Sequence, residues 1–141
     1  MAQMLHLSRI DAPLEKVYKA LTTSQGLAAW WTADSQAEPH EGTIAEFGFS
    51  KRITLFRMRL SELEPNARVV WDCLGDDPEW KGTRLTWKLS TEKGRTVVRF
   101  SHANWRSESD TFMMCNTTWG ALLYRLKEYA EGASPGPLFQ E

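Results

Sequence analysis

The clearest pattern in this sequence is a run of apolar residues at three- and four-residue spacing near its C-terminal end. From about Asp110 to Ala130 this spacing places one set of side chains on a single helical face. The set comprises Phe112, Cys115, Trp119, Leu122, Leu123, Leu126 and Ala130. A helix of about 20 residues is roughly 30 Å long, which is enough to cross a small sheet. The pattern therefore predicts one long helix around which a sheet could curl.

Most of the chain before this helix alternates between apolar and polar residues, as half-buried strands do. The predicted strands are residues 3–10, 43–49, 53–63, 69–73, 83–91 and 96–102. Two short helices are predicted after the first strand, and the later strands are joined by short turns, which favours antiparallel pairing. The expected class is α+β: a curved antiparallel sheet of about six or seven strands wrapped around the long C-terminal helix.

The alternation also predicts which side chains face the interior. Ten residues of the strands and the last helix share this phase: Phe47, Phe56, Met58, Trp71, Trp87, Phe100, His102, Phe112, Cys115 and Trp119. The chain contains seven tryptophans, more than a core of this size usually needs. Large flat side chains make good walls for an apolar pocket. Two interpretations stay open: a filled core, or a ligand cavity lined by these ten residues.

Composition narrows the function classes without naming one. The chain has 17 basic and 18 acidic residues, so no strong global field attracts nucleic acid or an anionic membrane. No apolar stretch approaches about 20 residues, and the first residues lack the pattern of a signal peptide. No membrane span is predicted, and the expected compartment is the cytoplasm. Cys73 and Cys115 lie in apolar patterns without a C-x-x-C pair and are expected to be buried, reduced thiols.

Several motifs occur in an order shared with a known group of proteins. They are Ile10-Asp11-Ala12-Pro13 with Val17-Tyr18-Lys19-Ala20-Leu21-Thr22, Gly26-Leu27 through Trp30-Trp31-Thr32, Glu79-Trp80-Lys81-Gly82-Thr83 with Leu85, His102 with Trp105, and Trp119-Gly120-Ala121-Leu122-Leu123. With these motifs the chain resembles the START-like helix-grip superfamily and, more narrowly, the Hsp90-ATPase-activator-homologue family of small bacterial proteins. The resemblance implies a helix-grip fold with a single START-like ligand-binding domain over residues 1–132. Gly132 and the two prolines after it predict a flexible C-terminal tail over residues 133–141.

The resemblance implies fold more strongly than function, because the superfamily includes lipid carriers, hormone receptors and aromatic-polyketide cyclases. The first hypothesis is a binding protein that holds an apolar or aromatic ligand, lipid-like or similar to a polyketide or flavonoid, between sheet and last helix. The alternative is a cyclase- or hydrolase-type enzyme that uses the same cavity. A co-chaperone-like domain ranks third, because the eukaryotic Hsp90 activators carry a separate N-terminal domain for which this chain has no room. A homodimer is left open.

Few polar residues are candidates for chemistry. His102 shares the phase of Val98 and Phe100, so it could hydrogen-bond a ligand or act as a base, or it could be a core-edge histidine bonded to the backbone. Arg106, in the loop before the last helix, could bind a ligand carboxylate or simply be solvated. The glycines follow no phosphate-binding pattern, and no Gly-x-Ser-x-Gly or HExxH spacing occurs. No catalytic residue, cofactor or metal is predicted.

Overall fold

An antiparallel sheet of seven strands frames the structure, a computed structural model that describes residues 2–75 and 77–140. Met1, Asp76 and Glu141 lie outside this description. The elements are β1 (Ala2–Ile10), α1 (Leu14–Thr22), α2 (Ser24–Trp30), β2 (Asp34–Gln36), β3 (Ile44–Phe49), β4 (Thr54–Glu64), β5 (Arg68–Leu74), β6 (Arg84–Glu92), β7 (Arg95–Trp105) and α3 (Asp110–Ala130). The strands lie in the order β1-β7-β6-β5-β4-β3-β2. This architecture confirms the predicted α+β helix-grip fold.

Helix α3 has the start and stop signals that its sequence provides. The Ser109 hydroxyl accepts a hydrogen bond from the Phe112 amide at 3.2 Å and so caps the first turn. At the other end Gly132 adopts a φ of 104°, and its amide donates to the Tyr129 carbonyl. The buried face carries six of the expected side chains: Phe112, Trp119, Leu122, Leu123, Leu126 and Ala130. Within the described residues, no helix combines the length and the apolar character needed to cross a membrane.

The sheet also contains a strand that the alternation did not predict. β2 spans only Asp34–Gln36 and pairs with β3 through Ser35 opposite Phe47. Three residues are too few to show a period of two, so hydrophobic patterning carries no signal for such a strand. Its position at the end of the sheet follows from the α2–β2 connection, which returns the chain to the side of the sheet opposite β1.

The tail expected to be flexible over residues 133–141 packs against the domain as far as it is described. The Phe139 amide donates to the Trp31 carbonyl at 3.0 Å, and the Ala33 amide donates to the Phe139 carbonyl at 2.9 Å. The Arg125 guanidinium donates to two tail carbonyls at 3.1 and 2.6 Å. The backbone hydrogen bonds of Phe139 extend the edge of the fold next to β2.

Helices α1 and α2 meet at a glycine. The Thr23 hydroxyl accepts from the Gly26 amide at 3.0 Å and caps α2. A β-carbon on Gly26 would lie 2.6 Å from the Cα of Ala20 and 2.6 Å from the Lys19 carbonyl oxygen. Both neighbours are backbone atoms and cannot move aside without shifting α1. Glycine at this position therefore sets how closely the two helices approach.

We expect Gly26→Ala to lower the free energy of unfolding by about 1–3 kcal/mol, because the added methyl group overpacks the α1–α2 contact. Gly120→Ala in α3 is the matched control, since its β-carbon would meet only the His6 ring, at 4.0 Å. That change should raise the free energy of unfolding by about 0.5–1 kcal/mol, the usual gain of alanine over glycine within a helix. Urea unfolding followed by circular dichroism measures both variants. Equal effects of the two substitutions would contradict the close approach.

Candidate functional site

The centre of the fold is filled by aromatic side chains. Seven of the ten residues predicted to line a cavity are at most 2% exposed and pack between sheet and helix: Phe47, Met58, Trp71, Trp87, Phe100, His102 and Trp119. Phe112 is 8% exposed and packs edge-on against Trp105. The filled-core interpretation therefore describes this part of the molecule. Large rings from the two layers contact each other there, with the Phe100 and Trp119 centroids 4.7 Å apart.

Trp119 is the point at which the layers join. Its ring centroid lies 4.7 Å from that of Phe100 on β7 and 5.8 Å from that of Trp87 on β6. It also lies 5.3 Å from the ring of Trp31, which follows α2. Offset and tilted aromatic pairs at these separations contribute stabilisation beyond simple burial. One side chain of α3 therefore contacts both the sheet and the short helices.

Trp119 also anchors a buried polar chain. Its indole Nε1 donates to Nδ1 of His102 at 3.2 Å, and Nε2 of His102 lies 2.8 Å from the Thr83 hydroxyl. That hydroxyl donates to the Trp80 carbonyl at 2.6 Å. An indole can only donate, so Nδ1 carries no proton and Nε2 donates to Thr83. Every polar atom of the imidazole is thus satisfied within the protein.

His102 is held as a neutral ring. It is fully buried, and burial lowers its pKa to about 3. Protonation at Nδ1 would also place a proton against the Trp119 donor. His102 therefore has neither a free lone pair nor access to a ligand, and it does not act as a base in this arrangement. Arg106, the other polar candidate, is exposed and lies outside the pocket described next.

An open pocket of about 290 Å³ lies beside this core, between α3 and the β3–β4 hairpin. Its described lining residues are Trp31, Phe49, Ser50, Thr54, Phe56, Trp80, Cys115, Thr118, Trp119, Leu122 and Phe139. The α3 residues recur at three- and four-residue steps and form one wall. Phe49 and Phe56 come from the facing strands, and Phe139 of the tail packs on Phe49 with ring centroids 5.1 Å apart.

Three of the ten predicted residues line this pocket: Phe56, Cys115 and Trp119. The other seven are buried elsewhere in the core: Phe47, Met58, Trp71, Trp87, Phe100, His102 and Phe112. Alternation gives the face of a strand on which a residue lies. It does not give the position along the strand at which the two layers separate, and that position decides which interior residues meet open space.

Some of the lining residues outside the predicted set had a signal in the sequence, and others had none. Phe49 has the interior phase of Phe47, and its place at the end of a strand next to a hairpin was the available signal. Thr118 and Leu122 lie one helical step from Cys115 and Trp119 and could have been found from that spacing. Phe139 had no such signal, because the tail carries no periodic pattern.

The pocket wall is apolar, with a few hydroxyl groups and no charge among its described residues. Phe56 and Trp80 stack with centroids 4.0 Å apart and planes inclined by 16°. The Thr118 hydroxyl donates to the Met114 carbonyl at 3.0 Å, which leaves its oxygen free to accept. Burial raises the pKa of the Cys115 thiol, so this group stays protonated at neutral pH. The site is therefore suited to contact with rings rather than to nucleophilic chemistry.

Other titratable residues lie in the core and on the surface. Cys73 is a free, buried thiol whose pKa burial raises to about 12. Among the residues that the structure describes, no group of three histidine, cysteine or acidic side chains could hold a metal ion. Arg52 binds Asp34 at 2.8 Å and Glu46 at 3.0 Å on the surface near the β3–β4 turn, and it holds the pKa of Asp34 below its usual range.

Comparison with solved structures gives extensive matches. A dimeric Aha1 from Colwellia psychrerythraea is 36% identical, with a TM-score of 0.87 over 94% of this chain and 98% of that one. Protein MLL2253 from Mesorhizobium loti is 18% identical, with a TM-score of 0.78 over 90% and 95% of the two chains. CalU16 from Micromonospora echinospora is 20% identical, with a TM-score of 0.75 over 96% and 69%. The last two likenesses show the fold alone.

Comparison of the sequence with curated proteins gives no match. The family model described as activator of Hsp90 ATPase homolog 1-like protein matches residues 11–131, which include both short helices, β2 to β7 and α3. The match takes in most of the pocket wall and the whole Trp119–His102 chain. This protein therefore belongs to the activator of Hsp90 ATPase homolog 1-like family.

Proposed function

We propose that this protein binds a small, neutral, flat aromatic molecule in the pocket between α3 and the β3–β4 hairpin. The observation that carries the proposal is the wall itself: six aromatic side chains converge on one open space while the rest of the core is filled. These side chains are Trp31, Phe49, Phe56, Trp80, Trp119 and Phe139. Rings in such a wall favour offset or edge-on packing against a planar ligand.

The absence of charge among the described lining residues favours a neutral ligand. A carboxylate or phosphate buried here would lose its hydration without gaining a counter-ion, which is costly. Hydroxyl groups do occur, on Ser50, Thr54 and Thr118. They can bond a phenol or carbonyl on the ligand and fix its orientation. The chemistry of the wall thus favours the aromatic, polyketide- or flavonoid-like alternative over a lipid with a charged head group.

The size of the pocket supports the same choice. Its volume of about 290 Å³ lies just below the range of about 300–1,000 Å³ that is usual for ligand sites. A compact compound of two or three rings fits such a space better than a long acyl chain does. Affinity would come mostly from apolar burial, at about 25 cal/mol per Å² before the costs of ordering.

Binding is favoured over catalysis because the described lining residues include no group suited to proton or acyl transfer. The His102 imidazole is used entirely by Thr83 and Trp119 and lies outside the pocket. The Cys115 thiol is held protonated by burial. An enzyme of the cyclase or hydrolase kind would need a positioned acid or base, and the described lining residues include none.

We also propose that the protein forms a homodimer. The support is the Colwellia relative, which is 36% identical along 94% of this chain and is described as a dimer. A protein of this size with one binding pocket per copy would then carry two equivalent sites related by symmetry.

The first test of the pocket is a screen by tryptophan fluorescence, because Trp31, Trp80 and Trp119 all line it. We expect neutral two- and three-ring phenols such as 2-naphthol and flavone to quench this emission with saturable binding. 2-Naphthoate, the charged analogue of similar shape, and palmitate should bind at least tenfold more weakly, because the wall offers no cation.

Cys115→Phe should fill the pocket and weaken binding of the best phenol at least tenfold. Met114→Phe is the matched control, since Met114 is the neighbouring residue on α3 and is 70% exposed. Circular dichroism verifies that both variants fold. The proposal fails if no neutral aromatic compound binds, or if Cys115→Phe binds as tightly as Met114→Phe.

The structural role of His102 predicts a pH dependence of stability. Its native pKa is about 3, below the value of about 6.5 in an unfolded chain, so the unfolded state takes up the proton first. Stability should be full above pH 6.5 and fall as the pH drops towards 3, by at most about 1.4 kcal/mol per pH unit from this group. Asp34, Asp72 and Glu131, whose pKa values are lowered, add to the loss only below about pH 4.5.

Urea unfolding between pH 4.5 and 7 measures this slope, and His102→Leu should reduce it. Long-range ¹H–¹⁵N spectra should show Nε2 protonated and Nδ1 unprotonated down to pH 4.5. An imidazole of His102 that titrates near pH 6.5 in the native protein would show that the ring is accessible, and the enzyme alternative would regain its base.

A further inference from the structure

The two edge strands of the sheet differ in length and in what lies beside them. At one end β2 has only three residues, and the docked tail runs beside it. At the other end β1 has nine residues, and no described strand lies beyond it. Its single irregularity lies between Ala2 and Met4, so the backbone from Met4 to Ile10 runs in regular register. Proteins usually protect a long edge by shortening it, bulging it or covering it, and β1 has none of these along most of its length.

The outer face of β1 also carries apolar side chains where the rest of that face is polar. Leu5 is 69% exposed and Leu7 is 47% exposed. Their partners across the β1–β7 pair are Ser101 and Arg99, so neither leucine lies directly opposite an apolar residue of the next strand. Two adjacent outward leucines on an unpaired edge strand form a surface that favours contact with another chain.

A groove runs along the same edge of the sheet. It has a volume of about 250 Å³ and lies between β1 and α3. Its lining residues are His6, Leu7, Ser8, Arg9, Gly120, Leu123, Tyr124 and Lys127. Tyr124 is 70% exposed at the rim, and Gly120 leaves open space beside the His6 ring. A strand added to β1 would therefore find free hydrogen-bonding groups at its side and a tyrosine ring above it.

We infer that β1 pairs antiparallel with β1 of a second copy, about a two-fold axis at His6; this inference rests on the homodimer proposed above. With His6 opposite His6 of the second copy, Leu5 lies opposite Leu7 of the second copy, and Leu7 opposite its Leu5. All four leucines then meet on one face at the spacing of directly opposed cross-strand pairs. The two seven-stranded sheets join into one.

A second copy fits this edge better than an unrelated peptide does, because the edge complements itself. Any antiparallel strand could use the backbone groups, but the pairing of Leu5 with Leu7 arises from the two-fold axis alone. An isologous contact of this kind also closes, so that two copies use up the edge and no further chain can add. The exposed leucines are thereby covered without creating a new free edge of the same kind.

Sedimentation equilibrium of the full chain from 1 to 200 μM tests the interface. Leu7→Lys should raise the dissociation constant of the dimer by roughly a hundredfold. Each copy would lose a leucine from the interface and place a charge opposite Leu5 of the other copy. Ile53→Lys is the matched control, since Ile53 is 87% exposed on the β3–β4 turn, and it should leave the constant unchanged. Circular dichroism verifies folding.

A disulfide test measures the register without relying on weakened association. Residues directly opposite in an antiparallel pair have Cα atoms about 4.5–5.5 Å apart, within the range of about 4.4–6.8 Å that a disulfide spans. His6→Cys should therefore give a covalent dimer after mild oxidation. Arg9→Cys should not, because the two copies of that residue would lie roughly 20 Å apart along the strands. Cys73 and Cys115 are common to both variants.

The outcomes distinguish the failure of the homodimer from the failure of the β1 interface. A wild-type protein that stays monomeric at all concentrations removes the homodimer, and the interface with it. A wild-type dimer that Leu7→Lys leaves intact, or one in which Arg9→Cys cross-links and His6→Cys does not, retains the homodimer and overturns the β1 interface. A dimer weakened by Leu7→Lys and trapped through His6→Cys supports both.

Discussion

The hydrogen bond from the Trp119 indole to Nδ1 of His102 is the contact on which the rest of the arrangement depends. It joins α3 to β7 in the interior, at 3.2 Å, where both side chains are buried. The Trp119 indole nitrogen can only donate, and Nδ1 of His102 can only accept while Nε2 carries the proton. A rotation of α3 by even part of a turn would therefore leave both buried nitrogens unpaired. The same rotation would separate the Trp119 ring from Phe100 and Trp31. The helix is therefore fixed in one orientation by polar and aromatic contacts together.

That fixed orientation explains why one part of the interior is filled and another is open. Around Trp119 the large rings of β5, β6 and β7 occupy the space between the layers. They do so at some cost, since the indole nitrogens of Trp71, Trp87 and Trp105 are buried with no acceptor among the described residues. For these three indoles, ring volume rather than hydrogen bonding decides the packing. Towards the β3–β4 hairpin the interior residues are the half-buried Phe49 and Phe56, and the tail rather than a strand supplies the last wall. The pocket is built from the ends of elements.

The fold could be predicted from the sequence because its strands and its long helix have periodic patterns. The phase of Phe56, Met58 and Leu60 and the helical spacing from Phe112 to Ala130 reflect the layer that each side chain enters, and this is a local property of the chain. The position of the pocket is not a local property of the chain. Whether Phe56 meets the pocket while Met58 meets packed side chains depends on where along the strand the sheet and the helix separate. The docking of Phe139 depends on backbone hydrogen bonds to the segment after α2, which no side-chain pattern records. The interior was predictable as a set of residues, but its open part was not.

The pocket and the β1 edge lie on opposite sides of α3, and this geometry bears on whether they can influence each other. Cys115, Thr118 and Leu122 face the pocket, whereas Gly120, Tyr124 and Lys127 face the groove beside β1. A ligand could alter association only through a difference in its contacts between two positions of the helix. The bond to His102 opposes a second position, because that bond and the surrounding rings would have to be given up together. Ligand binding and self-association should therefore be independent in this protein, with α3 acting as a rigid partition between them.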